Sequence, residues 1–399
     1  MITYLDNNAT TKVDPNVFKA ILPYFEDIYY NPSSAYNQAK LAEHVLSSAR
    51  IQIMQMLMAK DELEIVFTGS ATESNNFAIR GVLKANPGRR HIVTTSVEHP
   101  AVLELVKELE REDYQITLLS VDEFGNLDLK ELINAIRSDT AIVSVMYANN
   151  ETGVIFPIEK IAKIVKLTDP EIVFHTDATQ AIGKLPINLQ GKDSYVDLLS
   201  FSGHKIYAPK GVGALYIKKG TPIAPLLVGG HQERGMRAGT ENIAYIAGLA
   251  KASQIIFKEN SEKICKELKS LRDEFEQFVL ENIPTSKING DRASRIVNTS
   301  NVSFYGVEGE SILYALNEEG ICVSTGSACS SGSLAPSHVL QAMKVPFTYA
   351  HGSLRVSFGR FSTRKDLEHL KNILPRVISK LREISPYWDN STNAPIEED

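Results

Sequence analysis

The sequence has few cysteines, no long apolar run and no excess of positive charge. Three cysteines among 399 residues are too few and too irregularly spaced for a disulfide framework, which favours free thiols in the reducing cytoplasm. No run of about 18 apolar residues could span a membrane, and the N-terminus "MITYLDNNATT" lacks the pattern of a signal peptide. Because the net charge is −6, neither nucleic acid nor an anionic membrane is expected as the main partner.

Short β-branched runs alternate with helical periods between about residue 60 and residue 217. The runs that predict buried strands are 64–68, 91–96, 141–148, 171–176, 197–202 and 211–217. This alternation predicts the α/β fold class, with a largely parallel central sheet covered by helices on both faces. In such a sheet, active sites lie beyond the carboxyl ends of the strands.

The pattern changes after about residue 250. An amphipathic helix is predicted from Ser261 to about Val279, with one apolar stripe formed by Ile264, Leu268, Leu271, Phe275 and Phe278. Shorter strands and helices follow, which predict a smaller α+β domain. The predicted organisation is a large α/β domain at 16–258, a small α+β domain at 1–15 and 259–388, and a disordered acidic tail at 389–399.

The loop after the first predicted strand is rich in small residues. In 68-TGSATES-74, free N–H groups at the start of the next helix and the hydroxyls of Ser70 and Thr72 would form an anion site. A serine followed three residues later by Glu73 is equally typical of a helix cap. The residues themselves leave both interpretations open.

Other strand ends carry polar side chains that suit catalysis. Asp177 ends a buried strand, where a carboxylate needs a positive partner or caps the following turn. His99 and Asn150 follow two more strands, although a structural histidine and an ordinary turn explain them equally well. Lys205 interrupts the apolar stretch 200-SFSGHKIYAPKGVGALYI-217, as either a solvated charge or a buried amine with a chemical role.

Together these groups suit pyridoxal phosphate. This cofactor needs an amine for its Schiff base, a carboxylate for its ring nitrogen and a donor loop for its phosphate. On this hypothesis Lys205 bonds the aldehyde and Asp177 pairs with the ring. His204 and Ser202 then face the phosphate.

Eleven motifs, in order and at matching spacing, resemble those of NifS/IscS-type cysteine desulfurases in the class-V aminotransferase-like family. They run from "YLDNNATT" through "ATESNN", "HTDATQAIGK" and "GGHQERGMRAGTEN" to "GSACSSGS" and "LRVSFGRF", and cover residues 1 to 388. "ANNETG", "LLVGGHQERG" and "SPYW" are most similar to the NifS branch. The resemblance implies the type I fold of pyridoxal-phosphate-dependent transferases, a homodimer, and removal of sulfur from L-cysteine to give L-alanine.

The resemblance also implies roles for single positions around the cofactor. Lys205 would form the Schiff base, Asp177 would pair with the ring nitrogen, and Gln180 would bond the ring hydroxyl. His99 would stack on the ring and help to move protons, and Asn150 would lie beside cofactor and substrate. The phosphate would be held by Ala71, Thr72, Ser202, Gly203 and His204, joined by Thr240 of the neighbouring subunit.

For the substrate, the resemblance implies that Arg355 clamps the carboxylate, for which a bidentate guanidinium is suited, with assistance from Asn31. Cys329, in 324-STGSACSSGSLAPS-337, would attack the substrate sulfur as a thiolate. It would then pass a persulfide to an iron–sulfur scaffold protein of the NifU or IscU kind. No intrinsic metal is expected, although the Cys329 persulfide would be able to contact a nascent cluster. The alternative for a lone cysteine is a buried apolar residue, which is the prediction for Cys265 and Cys322.

The chain departs from the family pattern at two places, and other functions remain compatible with the fold. It has "FTGSATES" where the family more often has "FTSGATES", and "STGSAC" where the family more often has "SSGSAC". A selenocysteine lyase, a sulfinate desulfinase or an aminotransferase would share the fold. A non-catalytic sulfur-relay adaptor would not need Lys205, Asp177 and His99. A thiol hydrolase built on Cys329 would leave Lys205 and Asp177 unexplained.

Overall fold

A seven-stranded sheet organises most of the chain in the computed structural model, which describes residues 2–258, 261–325 and 336–396. Strands β1 to β14 span, in chain order, Thr3–Tyr4, Ile65–Thr68, His91–Thr95, Gln115–Leu119, Thr140–Ser144, Val173–Asp177, Leu198–Ser202, Gly213–Ile217, Ser286–Asn289, Thr299–Phe304, Ile321–Cys322, Ser353–Ser357, Trp388–Asp389 and Ala394–Pro395. Helices α1 to α13 span Pro15–Ile21, Pro23–Glu26, Asn37–Leu57, Ala71–Ala85, Pro100–Arg111, Leu129–Ala135, Ile158–Thr168, Ile243–Lys258, Ser261–Asn282, Gly309–Glu318, His338–Ala342, Phe347–Ala350 and Arg364–Glu383.

The large sheet has the strand order β2-β8-β7-β6-β5-β3-β4. Strand β8 runs antiparallel to both its neighbours, and the other pairs are parallel. The predicted α/β class with a largely parallel sheet is therefore confirmed. Because β2, β3, β5, β6 and β7 all point the same way, their carboxyl ends meet at one edge.

Helices cover both faces of this sheet, and each face has its own apolar core. Side chains from α3, α7 and α8 form one core, which includes Ile53, Ile161 and Leu249. Side chains from α4 and α5 form the other core, which includes Phe77 and Val106. The strands between them are buried on both sides, which explains why β-branched residues fill them without alternation.

A third core belongs to the smaller α+β unit. It joins the stripe of α9 to strands β10 and β12 and to α13, and it includes Leu5 from the N-terminal segment. The predicted amphipathic helix is observed as α9, where Phe275 is fully buried. One difference concerns α11, which the prediction assigned to the small domain. Val339 and Leu340 of α11, and Met343 after it, pack into the large-sheet core instead, because their apolar side chains contact that cluster. Helix α12 contacts β10 of the smaller unit.

Two further elements differ from the sequence prediction. Strand β4 was missing from the predicted strands, because it is an edge strand with a mostly accessible, partly polar surface. The tail was predicted to be disordered from residue 389. Within the described part of it, β13 and β14 pair as a short antiparallel hairpin, and Trp388 is buried at its base. None of the described helices is both long enough and apolar enough to cross a bilayer.

Candidate active site

A cavity of about 470 Å³ opens where the carboxyl ends of the parallel strands meet the N-terminal segment and the small domain. Residues of the loops after β2, β3, β5, β6 and β7 line it, as expected for this class of sheet. The predicted site residues in its wall are Ala71, Thr72, His99, Asn150, Asp177, Gln180, Ser202, His204, Lys205 and Arg355. The fold thus brings most of the predicted site together.

Lys205 lies at the end of a short 3-10 turn, Gly203–Lys205, that follows β7. Its Nζ donates hydrogen bonds to the carbonyl oxygens of Asn8 at 2.7 Å and Ala9 at 2.6 Å. The N-terminal segment is fixed here because the N–H of Thr11 donates to the carbonyl of His204. The lysine is therefore a half-buried amine held in the cavity wall, and the interpretation as a solvated loop charge is wrong.

Asp177 ends β6 and is only 6 % exposed. Its Oδ2 accepts from Asn75 Nδ2 at 2.7 Å, and its Oδ1 accepts from the N–H of Thr179 at 2.9 Å. The second bond is the turn cap that the sequence left open. The first bond fixes the carboxylate in the cavity wall, next to Gln180, which is also buried there.

The start of α4 lies at the cavity, where the small-residue loop predicts an anion site. Ser70 Oγ accepts from the N–H of Glu73 at 3.3 Å, and Glu73 Oε2 accepts from the N–H of Gly69 at 2.8 Å. The capping interpretation is therefore observed. The anion site stays a prediction, with which the cap is compatible, because Ala71 and Thr72 in the first turn line the cavity. Glu73 is in turn paired with Arg237 at 2.8 Å.

In the turn after β7, His204 lines the cavity and Gly203 does not. His204 Nδ1 lies 3.1 Å from Thr10 Oγ1, and burial together with the charges of Lys205 and Lys210 lowers the pKa of its imidazole to about 4. Gly203 is buried, and its N–H donates to the carbonyl of Val212. A β-carbon at Gly203 would lie about 3.0 Å from Val212, so the glycine serves close contact within the turn and does not line the cavity.

His99 caps the first turn of α5 and also faces the cavity. Its Nδ1 accepts from the N–H of Ala101 at 3.1 Å, so the neutral ring carries its hydrogen on Nε2. Burial lowers the pKa of His99, opposed by Asp177 and reinforced by Lys205. The histidine is therefore both the structural cap and a neutral group at the wall.

Arg355, on β12, brings the small domain into the site. Its Nη2 donates to Asp6 Oδ1 at 2.8 Å, and its Nη1 donates to the carbonyl of Asn150 at 3.1 Å. The guanidinium is almost fully buried. Its planar array of N–H donors suits a carboxylate as a further partner.

Besides Gly203, two predicted site residues among the described ones lie away from the cavity. Asn31 and Thr240 are exposed and do not line the cavity of this single chain. Cys329 lies outside the described residues, in the gap between residues 325 and 336. The other two cysteines are half-buried free thiols, and Cys265 Sγ donates to the carbonyl of Lys184 at 3.8 Å.

The structure adds residues that sequence reasoning missed. Asn75, Asp6 and Asn8 stand in the quoted motifs "ATESNN" and "YLDNNATT", which was the available signal for them. Glu98, which precedes His99 in the chain, is fully buried, and burial raises the pKa of its carboxyl to about 8, against the opposing effect of hydrogen bonds from Met146 and Thr95. No local pattern marked this residue as buried.

Several buried polar atoms in the described part of the cavity wall lack a hydrogen-bond partner, and they indicate which kind of ligand suits the cavity. Among the described residues, Asn75 Oδ1, Thr179 Oγ1 and Arg355 Nε are buried polar atoms without a hydrogen-bond partner. Such atoms cost free energy unless a ligand satisfies them. With an amine at Lys205 and a predicted anion site at α4, this wall fits a phosphorylated ring with a reactive carbonyl, and thus pyridoxal phosphate. Throughout the described ranges, no group of three or more His, Cys, Asp or Glu side chains is placed to hold a metal ion.

Comparison with known proteins agrees with this site. Residues 3–370 match the family model described as aminotransferase class-V. A cysteine desulfurase of Nostoc sp. is 51% identical over 386 residues, which are 97% of this chain and 95% of that protein. The cysteine desulfurase NifS of Azotobacter vinelandii is 47% identical, with 99% and 96% covered.

Solved structures give the same result for the fold. A NifS-like protein superposes with a TM-score of 0.89 at 36% identity, covering 96% of this chain and all of that one. A NifS-like protein from Rickettsia africae gives a TM-score of 0.85 at 30% identity, covering 95% of this chain and 100% of the other.

Proposed function

Since this chain belongs to the aminotransferase class-V family, we propose that it is a pyridoxal-phosphate-dependent cysteine desulfurase, which removes sulfur from L-cysteine and leaves L-alanine. The observation that carries the proposal is a single cavity wall that contains Lys205, Asp177, His99 and Arg355. The names of the similar proteins, at about half identity over nearly the full chain, support the same reaction.

Bound pyridoxal phosphate would supply an aldehyde that bonds amines and a protonated ring that accepts electrons. Asp177 would keep a negative charge at the ring nitrogen, because Asn75 and the N–H of Thr179 hold its two oxygens. The start of α4, with Thr72, Ser202 and His204, would bind the phosphate. Gln180 would donate to the ring hydroxyl.

The substrate side of the cavity would be formed by Arg355, Asn150 and Asn31. Arg355 would bind the carboxylate of L-cysteine through two parallel N–H groups. Because its guanidinium already contacts Asp6 and the carbonyl of Asn150, the substrate would replace part of these contacts. The amine of Lys205 would move the proton at the substrate Cα. His99, held neutral by burial, would take part in proton transfer through Nε2.

Cys329 would take up the sulfur. Its thiolate would attack the substrate sulfur, so that a sulfur–sulfur bond forms as the carbon–sulfur bond breaks and the electron pair stays with the carbon skeleton that becomes alanine. The persulfide would then pass to an iron–sulfur scaffold protein of the NifU or IscU kind. We place this reaction in a cytoplasmic homodimer, in which Thr240 of the neighbouring subunit contacts the phosphate.

The sulfur step is tested by replacing one cysteine. Cys329→Ala protein should keep the absorbance of bound cofactor but release almost no alanine from L-cysteine, and mass spectrometry should find added sulfur at Cys329 in the wild-type protein only. Cys322→Ala, which changes a half-buried thiol on β11, should release alanine at the wild-type rate. Full alanine release by Cys329→Ala would contradict the proposal.

The competing reaction classes are separated by products. An aminotransferase would need a keto acid as acceptor and would leave no sulfide. An adaptor without catalysis would bind no cofactor, so purified protein would stay colourless after incubation with pyridoxal phosphate.

A further inference from the structure

A second amine lies next to the proposed active site without a part in the reaction as described. Lys184 follows β6 by seven residues, and its Nζ donates to Gln180 Oε1 at 2.6 Å. Gln180 Nε2 donates to the carbonyl of Asn8 at 3.0 Å, and Lys205 Nζ donates to that same carbonyl at 2.7 Å. One amide and one carbonyl therefore connect the two lysines.

The surroundings of Lys184 set its charge. It lies in the wall of a second cavity, between the large sheet and α9, together with Tyr207, Cys265 and Arg360 and a set of aliphatic side chains. Burial, together with the charges of Lys205 and Arg355, lowers the pKa of its ammonium group to about 7. An amine keeps N–H donors in both protonation states, so its bond to Gln180 does not depend on its charge.

The two contacts of Gln180 fix which way its amide faces. A lysine side chain offers only donors while it is protonated, and a backbone carbonyl offers only an acceptor. With the amide reversed, the NH2 group of Gln180 would face the amine of Lys184, and Oε1 would face the carbonyl of Asn8. The contact with the Asn8 carbonyl would then be repulsive in either protonation state of Lys184, and the contact with Lys184 would be repulsive while its amine is protonated. In the observed orientation Nε2 keeps one further N–H, and Gln180 lines the active-site cavity.

We propose that Lys184 is a positioning residue that fixes the amide of Gln180, so that Gln180 presents N–H donors to the cofactor's ring oxygen and to the carbonyl that holds Lys205. This inference rests on the proposed function, because it concerns the same cofactor site. A donor at the ring oxygen stabilises its deprotonated form. It therefore lowers the pH at which the absorbance of the Lys205-bound cofactor changes.

The test is a pH titration of that absorbance in cofactor-loaded protein, with no substrate present. Lys184→Met removes the donor to Gln180 Oε1 and leaves the amide held only by the carbonyl of Asn8, so the midpoint should rise by about one pH unit, a tenfold change in proton affinity. Lys251→Met is the matched control, since Lys251 Nζ donates to Gln254 Oε1 at 2.9 Å on α8, outside the cavity. Its midpoint should equal that of the wild type.

A double-variant cycle shows whether Lys184 acts through Gln180. In a Gln180→Met background, Lys184→Met should shift the midpoint no further. An equal shift in both backgrounds would mean that Lys184 acts by its charge, and it would overturn the proposal. So would a wild-type midpoint in the Lys184→Met protein.

A measurement on the wild-type protein keeps the proposal testable if Lys184→Met fails to fold. Neutron diffraction from deuterium-exchanged crystals would show deuterons on the Gln180 atom that faces Asn8, and their presence on the atom facing Lys184 would overturn the proposal. These outcomes are distinct from failure of the proposed function, which would appear as a wild-type protein that forms no cofactor absorbance at all.

Discussion

The carboxylate of Asp177 is held from two sides, by the amide of Asn75 and by the N–H of Thr179. The oxygens of a buried carboxylate need such partners, because water does not reach them. Asn75 lies on α4, whose first turn forms the proposed phosphate site. Helix α4 therefore positions both the carboxylate proposed to pair with the ring nitrogen and the proposed phosphate site.

Asn75→Ala should weaken cofactor binding by about tenfold or more, because a hydrogen bond to a charged group contributes about 1.5–3 kcal/mol. Titration of apo-protein with pyridoxal phosphate, followed by absorbance, measures this change. Asn76→Ala is the control, since the neighbouring Asn76 is half-buried and its side chain donates to the helix backbone at Thr72 and not to Asp177. Equal affinities for the two variants would show that Asn75 does not orient Asp177.

The burial of Glu98 makes the stability of the protein depend on pH. It accepts hydrogen bonds from Thr95 Oγ1 at 2.9 Å and from the N–H of Met146 at 2.8 Å, while its Oε2 has no partner. Because burial raises its pKa to about 8, the folded protein holds this carboxyl protonated where the unfolded chain has lost the proton. Its contribution to stability is complete below the unfolded pKa and is lost as the pH rises through about 8.

Glu98→Gln imitates the protonated carboxyl and removes this dependence. The wild-type protein should lose stability relative to the variant between about pH 5 and pH 8, by at most about 1.4 kcal/mol per pH unit. Unfolding midpoints at several pH values measure the difference. The stability of Glu104→Gln, a change on the exposed surface of α5, should depend on pH in the same way as that of the wild type. If the stability of Glu98→Gln also had the pH dependence of the wild type, the pKa of Glu98 would not be raised.

The connection between β8 and α8 carries Thr240 and is anchored by a buried ion pair. Glu233 Oε2 accepts from Arg50 Nη1 of α3 at 2.7 Å and from the N–H of Phe67 on β2 at 2.9 Å. Glu233 is 3 % exposed and adopts a φ of 48°, a conformation that is strained for a residue with a side chain. Further along, Arg237 pairs with Glu73 of α4. These contacts hold the connection against the large sheet and against α4, the helix whose first turn forms the proposed phosphate site.

Glu233→Gln should destabilise the protein by about 3–5 kcal/mol, because it leaves the charge of Arg50 buried without compensation. Urea unfolding of the apo-protein measures this loss. Asp139→Asn serves as the control, since the ion pair of Asp139 with Arg137 is exposed and is worth at most about 1 kcal/mol. A Glu233→Gln protein as stable as the control would show that the pair does not anchor the connection.

The whole molecule has an apolar surface that a single chain does not cover. Helices α1 and α2 and the loop after them expose Phe18, Leu22, Phe25, Tyr29 and Tyr36, each at least 48 % accessible. Such a concentration of large apolar side chains marks an association surface. It supports the homodimer proposed above.

Phe25→Asp combined with Tyr29→Asp should convert the dimer to a monomer and reduce cofactor affinity, because Thr240 of the neighbour would no longer complete the phosphate site. Sedimentation velocity and cofactor titration measure the two effects. Leu167→Asp, at an equally exposed apolar position on α7, should leave the dimer intact. A wild-type protein that sediments as a monomer would contradict the homodimer.

The amino-acid pattern determined the class of the fold and the place of its chemistry. Strands buried on both faces need continuous apolar runs, and parallel strands bring their carboxyl ends to one edge, so Asp177, His99 and Lys205 were predicted to meet. These inferences need only local periodicity and the direction of the chain. The α/β sheet and the cavity at that edge follow from them.

Only the tertiary structure decided which partners these side chains have. Asn75 reaches Asp177 across 102 residues, and Lys205 reaches Asn8 across 197, distances over which periodicity carries no information. The packing of α11 into the large-sheet core, the edge strand β4 and the burial of Glu98 were missed for the same reason. A pattern shows that a face will be buried, but the packed chain alone determines what it is buried against.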